Sequence, residues 1–172
     1  GKVKEMAQRI VCGANQKGIG TLMSIYSVDY EELFPVSGGG GRDTWSDTDL
    51  PLNQWAEDLG SPVPWENEQA MTVSSCLYLL VREVDGDPGL FVCKSGQEKT
   101  YEGENPITPT PLELVELRDF SGIGNIDPDS RPKMHVSYAY HYPFVSMPPD
   151  KPYPADAGKS SSFAVLADKN PW

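Results

Sequence analysis

The chain has little of the chemistry on which metal sites and many catalytic centres depend. Its 172 residues include two histidines and three cysteines, with no Cys-x-x-Cys pair to suggest structural zinc. His135 and His141 would lie about 20 Å apart in an extended strand, too far to share one ion. Phosphate-binding loops, Gly-x-Ser-x-Gly and His-Glu-x-x-His are also missing. We therefore expect a protein that is not an enzyme and that has no cofactor, calcium being the one ion left open.

Basic side chains and long apolar runs are also scarce. Fourteen Lys and Arg against 25 Asp and Glu give a net charge of −11, which disfavours a nucleic-acid partner because a phosphate backbone would repel it. No run approaches the ~20 apolar residues that cross a bilayer, and no apolar signal segment opens the chain. Instead, 16 glycines and 16 prolines predict many loops and turns. The length fits one domain, residues 1–172.

The negative charge is unevenly distributed. Residues 1–35 hold as many basic as acidic side chains, so the whole net charge belongs to residues 36–172. From Asp43 to Glu68 there are seven acidic residues and no basic one. Such a run is typical of a solvated acidic surface; a calcium loop or a docking face for a basic partner are the functional alternatives.

The longest periodic segment is residues 2–34. Apolar side chains recur there at steps of three and four residues, which predicts one long amphipathic helix that Pro35 stops. Its first half is basic and its last turns are acidic, the reverse of what the helix macrodipole favours. Gly1 and Lys2 are also poor N-caps, so we expect these residues to be the C-terminal part of a longer helix.

Two shorter segments outside the long helix also have helical character. Residues 74–84 suit a short buried helix with Ser74 as its cap, although a strand fits as well. Residues 112–117 fit either a strand or one helical turn.

Three strands are predicted in the remaining sheet and loop region. Leu90–Cys93 is short, and residues 162–167 are apolar throughout, as expected of a central strand. Val136–Phe144 alternates strictly and places its aromatic side chains on one face. That face either covers the long helix or forms a carbohydrate platform, and the need to bury the helix favours the first reading. The fold class predicted is α+β.

Paired aspartates and three cysteines are the remaining candidate ligands. The aspartate pairs are Asp47 and Asp49, Asp85 and Asp87, and Asp127 and Asp129. None completes an EF-hand loop, and each fits a turn whose carboxylate accepts a nearby backbone amide. Cys12, Cys76 and Cys93 allow one disulfide and a free thiol, or three reduced side chains packed as small apolar groups.

The first block of sequence resembles a known family. The block is Lys4–Gly20 together with the Tyr and Phe-Pro that follow it. It resembles the helix that follows the membrane segment in type IV pilin-like proteins, above all in type II secretion pseudopilins. The family's Arg-x-x-Cys-x-x-Asn stretch is present as Arg9, Cys12 and Asn15.

Three further blocks match in the right order, so that the resemblance covers nearly half of the chain. They are the segments 77–93, 136–140 and 167–172. Lys94 stands where the family's Phe-x-Cys-Pro-Ser strand often has proline. The family's cleavage motif and membrane helix are not in this sequence, nor is the His…Asp-Gly segment in which many relatives end. No site that depends on that segment is carried over.

The resemblance implies a pilin-like α+β fold, in which the helix of residues 2–34 packs on an antiparallel sheet with long loops in residues 35–172. It also implies a disulfide between Cys12 and Cys93, with Cys76 as the free thiol. The function implied is that of a non-enzymatic structural subunit of a pseudopilus. Such a subunit is extracytoplasmic, contacts other pseudopilin subunits through its N-terminal helix, and is anchored in the inner membrane by an upstream helix.

One other class of function remains open. An acidic, tryptophan-bearing surface is also compatible with an extracytoplasmic module that binds glycans or peptides, with or without calcium. A glycan array and a calcium-dependent melting measurement would distinguish the two classes.

Overall fold

The structure is a computed structural model, and it describes residues 1–35, 73–104, 113–117, 119–120, 134–141, 156–158 and 165–168. The α-helices there are α1 (Lys2–Asp29) and α2 (Val73–Val84). Two 3₁₀ turns follow, at Pro88–Phe91 and Leu114–Glu116. Strands β1 (Tyr138–Tyr140) and β2 (Leu166–Asp168) pair antiparallel, with Ala139 opposite Ala167. The described part is therefore α+β: a long N-terminal helix and a small antiparallel sheet.

The long helix ends five residues earlier than the sequence predicts. Glu31 and Glu32 adopt φ values of 55° and 65°, in the left-handed region that ends a helix. The amide of Glu32 donates to the carbonyl of Ser27 at 2.9 Å, the closure of a Schellman-type end. The predicted end at residue 34 is wrong because this reversal, and not Pro35, stops the helix.

The helix predicted at 74–84 is present as α2, and the alternative strand is wrong. The helix begins at Val73, one residue before the predicted cap, so Ser74 lies inside its first turn. Most of the helix is buried, on side chains spaced for one broad face: Ser75, Cys76, Leu77, Tyr78, Leu80 and Val81. The helix ends at Asp85, which has a φ of 56°.

The strand predicted at Leu90–Cys93 is wrong, since Pro88–Phe91 is a 3₁₀ turn. The Asp87 carboxylate accepts the Gly89 amide at 2.8 Å, and Pro88 supplies the φ that a first helical position needs. These local bonds outweigh the apolar run that favoured a strand.

The 3₁₀ turn at Leu114–Glu116 decides between the alternatives in favour of the helical turn for residues 113–117, the described part of the predicted segment 112–117. The Glu116 carboxylate accepts the backbone amide of Glu113 at 2.9 Å.

The sheet follows the predicted strands only in part. β1 lies within the predicted 136–144, and β2 overlaps the end of the predicted 162–167. Ala167 is exposed, so β2 does not have the two buried faces of a central strand, and that expectation is wrong for its described residues.

The core lies where α1, α2 and the first 3₁₀ turn meet. α1 packs against α2, that turn and β2. The largest fully buried side chains form an aromatic cluster of Tyr78, Phe91, Tyr101 and Phe120. The Phe120 ring centre lies 5.0 Å from that of Tyr78 and 5.1 Å from that of Phe91. This cluster fixes the platform on which α1 rests.

Gly86 marks a close approach between α1 and the end of α2. A Cβ atom at this position would lie 2.8 Å from Leu22 Cδ1 and 2.8 Å from the Leu80 carbonyl oxygen. Because the carbonyl is backbone and cannot move aside, we expect Gly86→Ala to lower the free energy of unfolding by about 1–3 kcal/mol. Urea denaturation measures this difference.

The matched control is Gly20→Ala, in the exposed part of α1, where a Cβ would meet no atom within 4 Å. We expect this variant to gain about 0.5–1 kcal/mol, because alanine has the higher helix propensity. Equal stability of the Gly86 and Gly20 variants would contradict the close approach at Gly86.

Candidate functional site

Helix α1 has two apolar faces on opposite sides. Cys12, Ile19 and Tyr26 follow one another at seven-residue steps and are buried against the rest of the described domain, which we call the body. Ile10 and Val28 share the other side, about 160° round the helix from Cys12. A helix that only covers a core needs the first face alone, so the second face is the feature to explain.

The apolar residues of the second face are solvent-exposed and lie near the two ends of the helix. Val3, Ile10 and Val28 expose 83%, 71% and 82% of their surface. Met6 and Ile25, which flank the same line, are 62% and 50% exposed. The five residues form two patches, Val3, Met6 and Ile10 near one end and Ile25 and Val28 near the other, with Lys17 and Thr21 between them on the same side. Single exposed apolar residues are ordinary, but apolar patches grouped on one helix face indicate a surface that another macromolecule can cover. We call these five residues the outer face of α1.

The ends of α1 differ in charge. Basic Lys2, Lys4 and Arg9 outnumber the one acidic residue, Glu5, in its first turns, and acidic Asp29 and Glu31 stand at its C-terminal end. Gly1 occupies the N-cap position and makes no side-chain capping hydrogen bond, as the sequence indicates. The helix therefore forms against its own dipole, and its packing on the body must supply the stability that capping does not.

A covalent clamp holds α1 to the body. The structure joins Cys12 to Cys93 by a disulfide, with their Cα atoms 5.2 Å apart, and leaves Cys76 as a buried free thiol. This is the pairing that the family resemblance implies. The Ser95 hydroxyl oxygen lies 2.8 Å from Cys93 Sγ.

Hydrogen bonds surround the disulfide on both sides. The Asn15 amide donates to the Val92 carbonyl at 2.9 Å, so the asparagine of the Arg-x-x-Cys-x-x-Asn stretch anchors the helix one turn beyond Cys12. The Tyr138 hydroxyl donates to the Cys12 carbonyl at 3.3 Å. The family resemblance brings out Cys12, Asn15 and the partner Cys93, but not the Val92 carbonyl, which lies 77 residues from Asn15 along the chain.

Ser137 is a residue of this region that sequence reasoning misses. Strand alternation places it on the face opposite Val136 and Tyr138, yet it is fully buried. Its hydroxyl oxygen accepts the Cys93 amide at 2.8 Å, and its own amide donates to the Phe91 carbonyl at 2.8 Å. Only the folded chain shows that a second segment covers this side of the strand.

The aromatic face of β1 is core. Val136, Tyr138 and Tyr140 are buried, which confirms for these residues the core reading over the carbohydrate platform. β1 packs on α2, and Tyr138 also reaches α1 at the Cys12 carbonyl. Tyr142 and Phe144, from the same predicted face, lie outside the described residues.

The phenols of this face act as neutral hydrogen-bond donors. Burial raises the pKa of Tyr138 above the usual tyrosine value and that of Tyr140 well above it. The Tyr140 hydroxyl donates to the Pro35 carbonyl at 2.9 Å, which ties the segment after α1 to the strand.

The aspartate pair Asp85 and Asp87 lies in a turn, as predicted. The Asp87 carboxylate accepts the Gly89 amide, and Asp85 is an exposed residue at a helix end. The other candidate calcium ligands lie outside the described residues: Asp47, Asp49, Asp127, Asp129 and the acidic run from Asp43 to Glu68.

No protein-family model, curated protein or solved structure matches the chain. In the part that the structure describes, neither helix combines the length and apolar character that a membrane span needs.

Proposed function

We propose that this chain is a non-enzymatic structural subunit of a pseudopilus in a type II secretion-like system. Its fold is pilin-like, and the outer face of α1 packs against the helices of neighbouring subunits. The observation that carries the proposal is the second apolar face of α1, which lies opposite the face buried on the body. A helix with two apolar sides is built to be covered on both, once by its own domain and once by another chain.

The clamp supports the same conclusion. In a subunit that is anchored through one helix, any mechanical force on that helix must be transmitted to the body of the domain. The Cys12–Cys93 disulfide makes this connection covalent. A disulfide that joins a helix to the core is also typical of proteins outside the cytoplasm, since thiols stay reduced within it.

The membrane enters the proposal through the sequence that precedes α1 in the natural gene. We propose an apolar helix there that continues α1 and anchors the subunit in the inner membrane. The gene sequence upstream of Lys2 tests this. About 20 apolar residues that begin with a Gly-Phe-Thr-Leu-x-Glu-like motif support the subunit, and a cleavable signal peptide directly before Lys2 contradicts it.

Photo-crosslinking in cells that produce the full-length gene product tests the interface. With a benzophenone amino acid in place of Ile10 or Val28, we expect covalent adducts between subunits in a ladder of increasing mass. Lys4 is the matched control: it is exposed on the same helix but lies about 120° away from Ile10. Equal ladders from Lys4, or no ladder from Ile10 and Val28, would refute the assignment of the outer face.

The alternative, an extracytoplasmic glycan- or peptide-binding module with or without calcium, stays a prediction. No observation on the described residues favours it over the subunit.

A further inference from the structure

A carboxylate lies beside the clamp. The Cys12 and Cys93 sulfur atoms and one Asp168 carboxylate oxygen all lie within 4.8 Å of one another. They come from three separate places in the fold: α1, the segment after the first 3₁₀ turn, and β2. The two cysteines are 5% and 2% exposed and Asp168 is half-buried, so the sulfur atoms lie inside the fold and the carboxylate lies at its edge.

We propose that these three residues form a binding site for a thiophilic divalent cation, such as zinc, when the disulfide is reduced. Two thiolates and a carboxylate are three of the four ligands of a tetrahedral zinc ion. The Ser95 hydroxyl, 2.8 Å from Cys93 Sγ and 4.0 Å from Cys12 Sγ, or a water molecule, completes the set. All the protein ligands come from one chain.

The spacing fits the ion. Zinc bonds of about 2.3 Å to sulfur and about 2.0–2.2 Å to oxygen place tetrahedral ligand atoms about 3.5–3.8 Å apart. Donors that already lie within 4.8 Å reach this spacing by small side-chain rotations once the sulfur–sulfur bond is gone. In the oxidised protein the disulfide is neutral and has no thiolate to offer, so Asp168 alone remains.

The electrostatics favour the ion for the same reason. Two thiolates and a carboxylate within 4.8 Å of one another would repel each other. A divalent cation offsets that repulsion and releases the thiol protons. The site therefore gains the charge that metal binding requires only when the disulfide opens.

The chemistry balances in two steps. A dithiol reductant transfers two electrons and two protons to the Cys12–Cys93 bond, which gives two thiols, while the dithiol becomes a disulfide. Zinc then binds the two sulfurs and Asp168, and two protons leave. The ion ties together the two elements that the disulfide joins and adds β2 through Asp168, so α1 stays clamped in either redox state. The inference does not rest on the proposed function.

Zinc titration of the 172-residue chain tests the site. The protein is reduced with a phosphine, which competes weakly for the metal, and bound zinc is followed by competition with a chromophoric chelator. We expect one zinc per reduced chain and none per oxidised chain. Cadmium in place of zinc should add the ultraviolet absorbance of a sulfur-to-metal charge transfer.

Asp168→Asn leaves the disulfide intact. It distinguishes the proposed three-residue site from metal binding by the two thiols alone. We expect this variant, when reduced, to bind zinc at least about tenfold more weakly. Asp29→Asn is the control, because its exposed carboxylate lies 17 residues along α1 from Cys12, about 25 Å away.

Two results would overturn the proposal: zinc binding that Asp168→Asn leaves unchanged, or no zinc on the reduced chain. A reduced chain whose near-ultraviolet circular dichroism is lost, and which zinc does not restore, would overturn it as well.

Discussion

Replacing both Cys12 and Cys93 by alanine is expected to lower the free energy of unfolding by about 4 kcal/mol. The bond closes a loop of 81 residues, and the entropy that such a crosslink removes from the unfolded chain corresponds to about 4.5 kcal/mol by the loop-length relation. Guanidinium denaturation at neutral pH measures the loss. For a protein of ordinary stability, this is a large part of the total.

Measuring both proteins again under a phosphine reductant gives the control. Without the bond, wild type and the double variant should unfold at nearly the same denaturant concentration, since only the two sulfur atoms then distinguish them. Cys76→Ala, which removes the buried free thiol, should leave the oxidised protein's sensitivity to reductant intact. A double variant within 1 kcal/mol of oxidised wild type would show that the clamp contributes little to stability.

Phe120→Ala is expected to cost about 3–5 kcal/mol. Phe120 is fully buried, and its ring packs on three others: Tyr78, Phe91 and Tyr101 at 6.1 Å. Alanine leaves a cavity that these rigid rings cannot fill by small rotations, so the lost burial and the void both count. Thermal and urea unfolding of the oxidised chain measure the effect.

Phe120→Leu separates the two contributions. Leucine keeps most of the volume but loses the edge-to-face contacts, so its cost should be well below that of alanine. Val115→Ala is the surface control, because Val115 is 54% exposed and its truncation should change stability by less than about 0.5 kcal/mol. Equal losses for Phe120→Ala and Val115→Ala would contradict the described core.

Periodicity predicts the helices well and their ends poorly. The steps of three and four residues in 2–34 identify α1, because a helix must bury one stripe whatever stops it. The stop itself depends on two glutamates in left-handed geometry, which propensity disfavours and tertiary contacts impose: the Glu32 carbonyl accepts the amide of Ala157 at 2.9 Å. A partner 125 residues away leaves no trace in the local sequence.

The 3₁₀ turn shows the opposite failure. Leu90–Cys93 has the apolar run of a strand, but the Asp87 and Pro88 that precede it carry the stronger local signal, since a carboxylate cap and a fixed φ start a helical turn directly. The sequence contains both signals, and the capped turn outweighs the apolar run.

The candidate site divides in the same way. Cys12 and Asn15 stand out because they match the Arg-x-x-Cys-x-x-Asn stretch of the family that the sequence resembles. Ser95, Ser137 and Asp168 are ordinary polar residues in sequence and become significant only when folding brings them to the disulfide. The outer face of α1 is visible in the sequence as a second set of apolar positions, but nothing in the pattern says which set the body covers.

The position of the disulfide also decides how the molecule responds to mechanical force. Tension between the first turn of α1 and residues 94–172 runs along the first eleven residues of the helix and crosses at Cys12 directly into Cys93. Residues 13–92 lie in a closed covalent loop, parallel to this load path, and carry none of the pull. The oxidised chain can therefore extend only outside that loop, and cleaving one covalent bond would add 81 residues of slack.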